Sequence, residues 1–189
     1  MKQAIAMLES TSQYSQSRVI QSDLKSKELA DDFEKRTWRE RMWVTEDGHV
    51  FIPPMQFCNS LKEAAKYLSI PVPGRGGKVL FTKNFEAGVI VNQRLPLTIK
   101  AADVLPEKLY VPANGQRNGT KRVYRYFPII PNWVGAVTYH IFDDLITEDV
   151  FKRVLDASGK LIGIGRFRPR NLGYYGTFKC TDLLWTEEE

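Results

Sequence analysis

The sequence predicts a single α+β domain built on an antiparallel sheet, and three observations indicate this class. Two segments, 59–70 and 147–157, have the apolar spacing of amphipathic helices. Short runs rich in β-branched and aromatic residues surround them, and residues 133–142 are the clearest strand. The order strand, helix, strand, hairpins, strand, helix, strand is typical of a ferredoxin-like or RRM-like antiparallel sheet with two main helices.

The first 42 residues predict a strand, a loop and a helix. Residues 4–10 are apolar enough for an opening strand, and a polar loop follows. Residues 24–42 are rich in good helix formers and contain neither Gly nor Pro. Their apolar stripe is thin, so we expect an exposed helix whose C-terminal half is basic. Those cations could complement the helix dipole or bind a polyanion, and the sequence does not separate the two functions.

The two amphipathic helices have recognisable ends. In the first, Asn59 or Ser60 is the expected N-cap. In the second, Thr147 is the expected N-cap, and Ser158-Gly159 is expected to end the helix.

A basic hairpin is predicted to project from the domain. Residues 93–126 are irregular and contain proline, and their tip "VPANGQRNGTKR" is rich in Gly, Asn and cations. The whole chain, 1–189, is therefore predicted to be one domain with an insertion at 93–126.

Composition limits the function classes. The net charge of +5 is compatible with a polyanionic partner but does not require one. Cys58 and Cys180 are far apart and form neither a disulfide framework nor a zinc motif. The sequence lacks an apolar run long enough to span a bilayer and lacks a signal-peptide core near Met1. We therefore expect a cytoplasmic protein without a membrane partner.

Motifs for catalysis, metals and cofactors are missing from the sequence. It contains no GxxxxGK[ST], GxSxG or HExxH pattern, and only His49 and His140 could act as bases near neutral pH. We expect no catalytic residue, no metal and no cofactor. A satisfied structural role is the simpler expectation for both histidines.

The stretch "GKLIGIGRFRPRNLGYYGTFKC", residues 159–180, is the most unusual part of the chain. Arg166, Arg168 and Arg170 alternate, so in an extended segment all three would project to one side and could follow a phosphate backbone. Phe167 would then anchor the segment on the core. Tyr174 and Tyr175 lie beside glycines and could stack on bases. A plain basic turn between two strands is the competing interpretation.

Three other stretches repeat this basic composition, so nucleic-acid binding is favoured over a solvated surface. The further candidate binding residues are Arg36, Arg39, Arg75, Lys78, Arg117, Lys121, Arg122 and Arg125.

Two blocks also resemble a known family. "DGHVFIPPMQFCNSLKEAAKYL" and "TEDVFKRVLDASGKLIGIGRFRPRNLGYYGTF" are similar to the strand–IP–helix segment and the C-terminal helix with glycine-rich loop of the RAMP superfamily, the backbone subunits of CRISPR effector complexes. The resemblance implies an RRM-like palm, a thumb, and a loop containing Gly163, Gly165, Gly173 and Gly176. It also implies single-stranded RNA binding and head-to-tail association with itself or with CRISPR-type subunits. Similar reading frames occur in phages, in which case the protein would act in the host cytoplasm.

The sequence thus predicts a non-enzymatic protein that binds single-stranded nucleic acid, with RNA favoured over DNA and little base preference. One alternative is a phage inhibitor that mimics a backbone subunit and binds a host complex. Another is a metal-independent endoribonuclease of the same superfamily, with His49 or His140 as general base.

Overall fold

The computed structural model describes residues 1–113 and 119–187, and these residues form an α+β fold with antiparallel sheets, as predicted. The strands in chain order are β1 (Lys2–Ser10), β2 (Tyr14–Ser15), β3 (His49–Ile52), β4 (Val89–Ile90), β5 (Leu95–Lys100), β6 (Leu105–Pro112), β7 (Arg122–Ile130), β8 (Val134–Ile141) and β9 (Phe178–Glu187). The α-helices of the same residues are α1 (Ala30–Thr37), α2 (Pro54–Leu68), α3 (Thr82–Gly88) and α4 (Glu148–Ala157).

The largest sheet has the strand order β4–β8–β1–β9, and each neighbouring pair is antiparallel. Ala4, Ala6 and Leu8 of the central strand β1 are fully buried, whereas Met7 between them is exposed. Since side chains alternate across a strand, one face of this sheet covers the core and the other is open.

Helices α2 and α4 cover the inner face through aromatic contacts. Phe151 of α4 packs edge-on against Tyr139 of β8, with ring centroids 5.2 Å apart, and also against Trp185 of β9. Phe57 of α2 packs edge-on against Phe178 of β9 at 6.4 Å. Aromatic pairs of this geometry add to the hydrophobic stabilisation of the core.

Helix α2 begins earlier than predicted. Pro53 has an extended backbone and Pro54 occupies the first turn, so the helix begins before the predicted N-cap at Asn59 or Ser60. Proline suits this position because its fixed φ is helical and its missing N–H would have no helical acceptor. The predicted N-caps Asn59 and Ser60 lie inside the helix, and the buried Ser60 hydroxyl donates to Ser158 O at 3.1 Å.

The predicted helix at 24–42 is also shorter and less exposed than expected. Lys27 has a left-handed backbone (φ 63°), so the chain becomes helical only at Ala30. After α1, residues Trp38–Arg41 form a 3₁₀ turn. Arg41 is buried and donates to both carboxylate oxygens of Glu34, at 2.8 and 2.9 Å.

Helix α4 has the predicted N-cap, since Thr147 Oγ1 accepts from the Val150 N–H at 3.4 Å. The α-helix ends at Ala157 with Ser158 as its C-cap, as predicted, and the chain then continues as a π turn, Ser158–Ile162. A Cβ on Gly159 would lie 2.1 Å from Phe178 O, so this turn passes directly against β9.

Strands β6 and β7 pair from Leu105↔Ile129 to Pro112↔Arg122. Residues 114–118, between them, lie outside the described residues. Strand β5 pairs with β3, so the stretch predicted as an insertion also supplies a strand to a two-stranded sheet. The insertion and the single-domain organisation remain predictions. Within residues 1–113 and 119–187, no helix is both long and apolar enough to cross a membrane.

Candidate nucleic-acid interface

Two aromatic side chains, Trp43 and Phe51, lie side by side on adjoining chain segments. The turn between them ends at Gly48 (φ 86°), and the Phe51 N–H donates to Trp43 O at 2.9 Å. Their ring centroids are 6.1 Å apart. The Arg18 guanidinium lies 4.8 Å from the Trp43 ring centre, and that of Arg94 lies 5.2 Å from the Phe51 ring centre. We call Arg18, Trp43, Phe51 and Arg94 the cation–aromatic ladder.

An open cleft of ≈ 620 Å³ borders the Arg18–Trp43 half of this ladder, whereas Phe51 and Arg94 line a neighbouring depression. Its walls come from the segment after β2, from the first turns of α2 and from the glycine-rich segment near the C-terminus. The residues lining it are Ser17, Arg18, Val19, Gln21, Trp43, Gln56, Asn59, Gly165, Arg166, Arg168 and Asn171. The lining therefore combines cations, an aromatic ring and neutral hydrogen-bonding groups, which is the composition expected of a nucleotide-binding surface.

Arg166 is a cation of the cleft with one buried donor that has no partner among the described residues. Its backbone N–H donates to Ser15 O at 2.9 Å, and its guanidinium lies 3.4 Å from the centre of the Phe127 ring. Burial, followed by the nearby charge of Arg41, lowers the pKa of Arg166 to about 10. Among the described residues, no hydrogen-bond partner reaches its buried Nη1. An anion in the cleft would supply a compensating charge for this half-buried guanidinium.

A buried hydrogen-bond network lies beneath the cleft. The Gln16 amide nitrogen donates to Phe51 O at 2.7 Å and to the Tyr14 hydroxyl at 3.1 Å. The Gln16 carbonyl accepts from the Trp43 N–H at 2.7 Å. The Tyr14 hydroxyl in turn donates to Gln56 Oε1 at 2.9 Å. This network ties both aromatic residues of the ladder to the wall of the cleft.

The predicted alternation of Arg166, Arg168 and Arg170 is wrong, because the segment is not extended. Phe167 and Leu172 have left-handed backbones, and Pro169–Asn171 forms a 3₁₀ turn. The structure therefore does not place the three guanidinium groups in one row.

Two of these arginines are held by an acid on α2. Arg168 donates to Glu63 at 2.9 Å and to Gly163 O at 3.2 Å, while Arg170 approaches the same carboxylate at 3.5 Å. The Arg168 side chain is 16% exposed and the Arg170 side chain 60% exposed. Arg168 thus fastens the glycine-rich segment to α2, and Arg170 keeps most of its surface for a ligand.

The two adjacent tyrosines have different environments. Tyr175 is 2% exposed and its hydroxyl donates to Glu107, so it is not available as a stacking platform. Burial, the largest cause, raises the pKa of Tyr175. Tyr174 is 63% exposed and packs edge-on against Phe167 at 5.5 Å. Phe167 is itself 39% exposed, so the prediction that it anchors the segment in the core is wrong.

The glycines of this segment allow the protein backbone to pack on itself. A Cβ on Gly173 would lie 1.8 Å from Phe167 O, and one on Gly176 would lie 1.8 Å from Ile164 O. Gly163 has a looser fit, since a Cβ there would lie 2.9 Å from Pro169 Cδ. Gly165 (φ 73°) lies against the Tyr14 ring, which a Cβ would meet at 2.5 Å. These contacts position the segment as a wall of the cleft.

The remaining predicted residues lie on other surfaces. Arg36 donates to both oxygens of Glu28, and Arg39 lies over the Trp38 ring at 4.4 Å. Arg75 and Lys78 are exposed on a glycine-rich loop that does not line the cleft.

The β6–β7 pair carries its own cations and aromatics. Lys121 and Arg122 are exposed, Arg125 donates to Ala113 O at 2.8 Å, and Arg117 lies outside the described residues. Tyr110 and Tyr124 face each other with ring centroids 4.9 Å apart. The sequence prediction did not name this exposed tyrosine pair.

Neither histidine lines the cleft. His49 Nδ1 is 2.9 Å from the carboxylate of Asp47 in the turn before β3, and His140 lies near the C-terminal end of β8, opposite Gln3. The described residues contain no group of three or more His, Cys, Asp or Glu side chains that could hold a metal ion.

The comparison with known proteins shows similarity at the level of the fold. No family model and no curated protein matches the chain. A chain in a cryo-EM structure of the Type III-B Cmr-beta bound to cognate target RNA is similar to it, with a TM-score of 0.52 and 13% sequence identity. The match covers 98% of this chain and 61% of that chain, so this protein spans less than two thirds of its length. At this identity the match shows a shared fold.

The sequence prediction missed the ladder, although part of its signal is present. "WVTEDGHVF", residues 43–51, has an Asp-Gly turn between two short runs that each carry an aromatic and a valine, a pattern typical of a hairpin with both aromatics on one face. Arg18 and Arg94 gave no local signal, because only the fold brings them to these rings.

Proposed function

We propose that this protein binds single-stranded nucleic acid, RNA in preference to DNA, across the cleft and the cation–aromatic ladder, without catalysing a reaction on it. The observation that carries the proposal is the pairing of Arg18 with Trp43 and of Arg94 with Phe51 beside a cleft that contains the unpartnered Arg166 donor. The fold shared with a chain of an RNA-bound Cmr assembly supports RNA as the ligand.

The arrangement suggests how such a strand would bind. Guanidinium groups attract the phosphates, and the parts of the Trp43 and Phe51 rings that Arg18 and Arg94 leave open offer stacking surface for bases. Base–aromatic stacking contributes about 1–3 kcal/mol per base and tolerates different sequences. Discrimination between RNA and DNA then requires contacts to the 2′-hydroxyl, which the neutral side chains Ser17, Gln21 and Asn59 could make.

The topology supports the RRM-like palm with a thumb that the resemblance to the RAMP superfamily implies. If the central elements are taken as β1, α2, β4, β8, α4 and β9, the sheet order β4–β8–β1–β9 is that of a ferredoxin-like βαββαβ unit. The β6–β7 pair is inserted between β4 and β8, where a thumb would emerge. Head-to-tail association along the strand, and action in a bacterial or phage-infected cytoplasm, belong to the same proposal.

Binding of a labelled single-stranded RNA 12-mer, measured by fluorescence anisotropy, tests the proposal. We expect Trp43→Ala to weaken binding about 5- to 150-fold, the factor that corresponds to ~1–3 kcal/mol of stacking. The matched control is Tyr67→Ala. It removes an aromatic side chain of α2 that is 65% exposed and lies outside the cleft, and it should bind like the wild type. Equal affinities of all three proteins, or no binding by the wild type, would overturn the proposal.

One observation favours a protein partner as a second candidate. Several cations that the sequence offers are paired internally, as in Arg36–Glu28, and the open face of the main sheet exposes Met7, Val134 and Leu184. A protein that mimics a backbone subunit and binds a host complex would use such a surface. That function predicts no affinity for free nucleic acid in the binding experiment.

A further inference from the structure

The amide of Gln56 is oriented by the hydrogen-bond network beneath the cleft, and its polarity can be followed from one residue to the next. Gln16 contacts two backbone groups of fixed polarity, the Trp43 N–H and the Phe51 carbonyl. Its carbonyl oxygen must face the N–H, so its NH₂ must face Phe51 O. Gln16 is 1% exposed, so it has no water to compensate a reversed orientation.

Tyr14 transmits this polarity to Gln56. Because the Tyr14 hydroxyl accepts from the Gln16 NH₂, its own hydrogen is free to be donated to Gln56 Oε1. Tyr14 is fully buried, and burial raises its pKa, so this hydroxyl keeps its hydrogen at every physiological pH. The oxygen of Gln56 is therefore directed at the buried Tyr14 hydroxyl, and its two N–H donors are the unengaged part of the amide that is left for the cleft. No described residue accepts a hydrogen bond from Gln56 Nε2.

Among the other groups of the cleft, the cations are donors by nature and the side-chain amides are not oriented by a contact. Arg18 and Arg166 can only donate. Asn59 and Asn171 also line the cleft, and no contact with a described residue fixes their side-chain amides, so they can present either end. Gln56 is thus the neutral group of the cleft that is committed to donating, and it recognises an acceptor.

We infer that the cleft selects bases that present a carbonyl oxygen where others present an amino group: uracil and guanine over cytosine and adenine. Uracil O4 and guanine O6 accept, whereas the amino groups of cytosine and adenine at the corresponding positions donate and would oppose the Gln56 NH₂. This inference rests on the proposed function, since it names the bases preferred at the same cleft. It differs from the expectation from sequence, which was little base preference.

Oligo(U) and oligo(C) 12-mers test it most cleanly, because the two pyrimidines have the same size and differ at the 4-position. For the wild type we expect oligo(U) to bind about fivefold more tightly, the factor for one net hydrogen bond. Gln56→Glu replaces the donor by an acceptor and should weaken both ligands while reversing the preference toward oligo(C). Asn59→Asp makes the same change of charge on the same helix within the cleft and should weaken both without reversal.

Tyr14→Phe tests the network itself. It keeps the ring but removes the hydroxyl between Gln16 and Gln56, so the Gln56 amide can turn and the U-to-C ratio should fall toward one, while the salt dependence of binding stays unchanged. If Tyr14→Phe does not fold, the Gln56→Glu reversal remains decisive. Equal wild-type binding of both oligonucleotides, or a ratio that persists in Gln56→Ala, would overturn this inference and leave the proposed function intact. Failure of both oligonucleotides to bind would overturn the proposed function instead.

Discussion

Removing two cations of the cation–aromatic ladder, Arg18 and Arg94, should change the salt dependence of binding in a calculable way. Each phosphate neutralised by a cation contributes about −0.7 to the slope of log K against log[salt] for a single strand. If Arg18, Arg94 and Arg166 each contact one phosphate, the slope is about −2.1. Raising the salt from about 50 to about 200 mM should then weaken wild-type binding about 20-fold.

In Arg18→Ala/Arg94→Ala only Arg166 of the three remains, so the slope should fall to about −0.7 and the same salt step should weaken binding only about threefold. The control, Lys152→Ala/Arg153→Ala, removes two exposed cations from α4, outside the cleft, and so changes the net charge equally. The assay is anisotropy of a labelled 12-mer across a salt series. A ladder variant with the wild-type slope, or a control with the reduced slope, would refute the assignment of these phosphate contacts.

Three further predictions concern the scaffold. Glu34→Leu leaves Arg41 buried without its carboxylate and should lower the free energy of unfolding in urea by about 3–5 kcal/mol. The double variant Glu34→Leu/Arg41→Met should recover much of that loss, and a double variant as unstable as the single one would contradict this role of the ion pair. Gly173→Ala forces its Cβ onto Phe167 O and should lower stability by about 1–3 kcal/mol, so an unchanged urea midpoint would count against the tight turn. The Glu28 carboxyl has its pKa lowered to about 2, first by its hydrogen bond from Arg36. Because a lowered acid pKa stabilises the fold above the unfolded-state pKa, this contribution is lost as pH falls from about 4.5 toward 2, and Glu28→Gln should flatten stability over that window.

The elements that the sequence predicted best are those with local signals. The opening strand and α4 were recognisable because periodicity and the Thr147 cap act within a few residues. The start of α2 was missed because Asn59 or Ser60 was taken as the N-cap, although the earlier Pro54 is equally suited to a first helical turn.

The candidate site was harder to predict, because long-range contacts form it. The alternating arginines assumed an extended chain, and the turn at 167–172 departs from it through contacts with Glu63, more than a hundred positions away. Tyr175 was taken for a surface residue, but β6 covers it through Glu107. The ladder brings Arg18 and Arg94 from two distant segments to the hairpin of Trp43 and Phe51, and a single sequence carries no signal for that meeting.

Photo-crosslinking of a 4-thiouridine-containing oligonucleotide, followed by mass spectrometry of the protein, tests the central claim most directly, because it maps where the strand lies. The account predicts crosslinked peptides that contain Trp43 or Phe51, together with peptides from the cleft wall at 165–171. Crosslinks confined to the loop at 72–80 and the tip at 119–126 would contradict it, since the strand would then follow exposed basic loops and not the cleft.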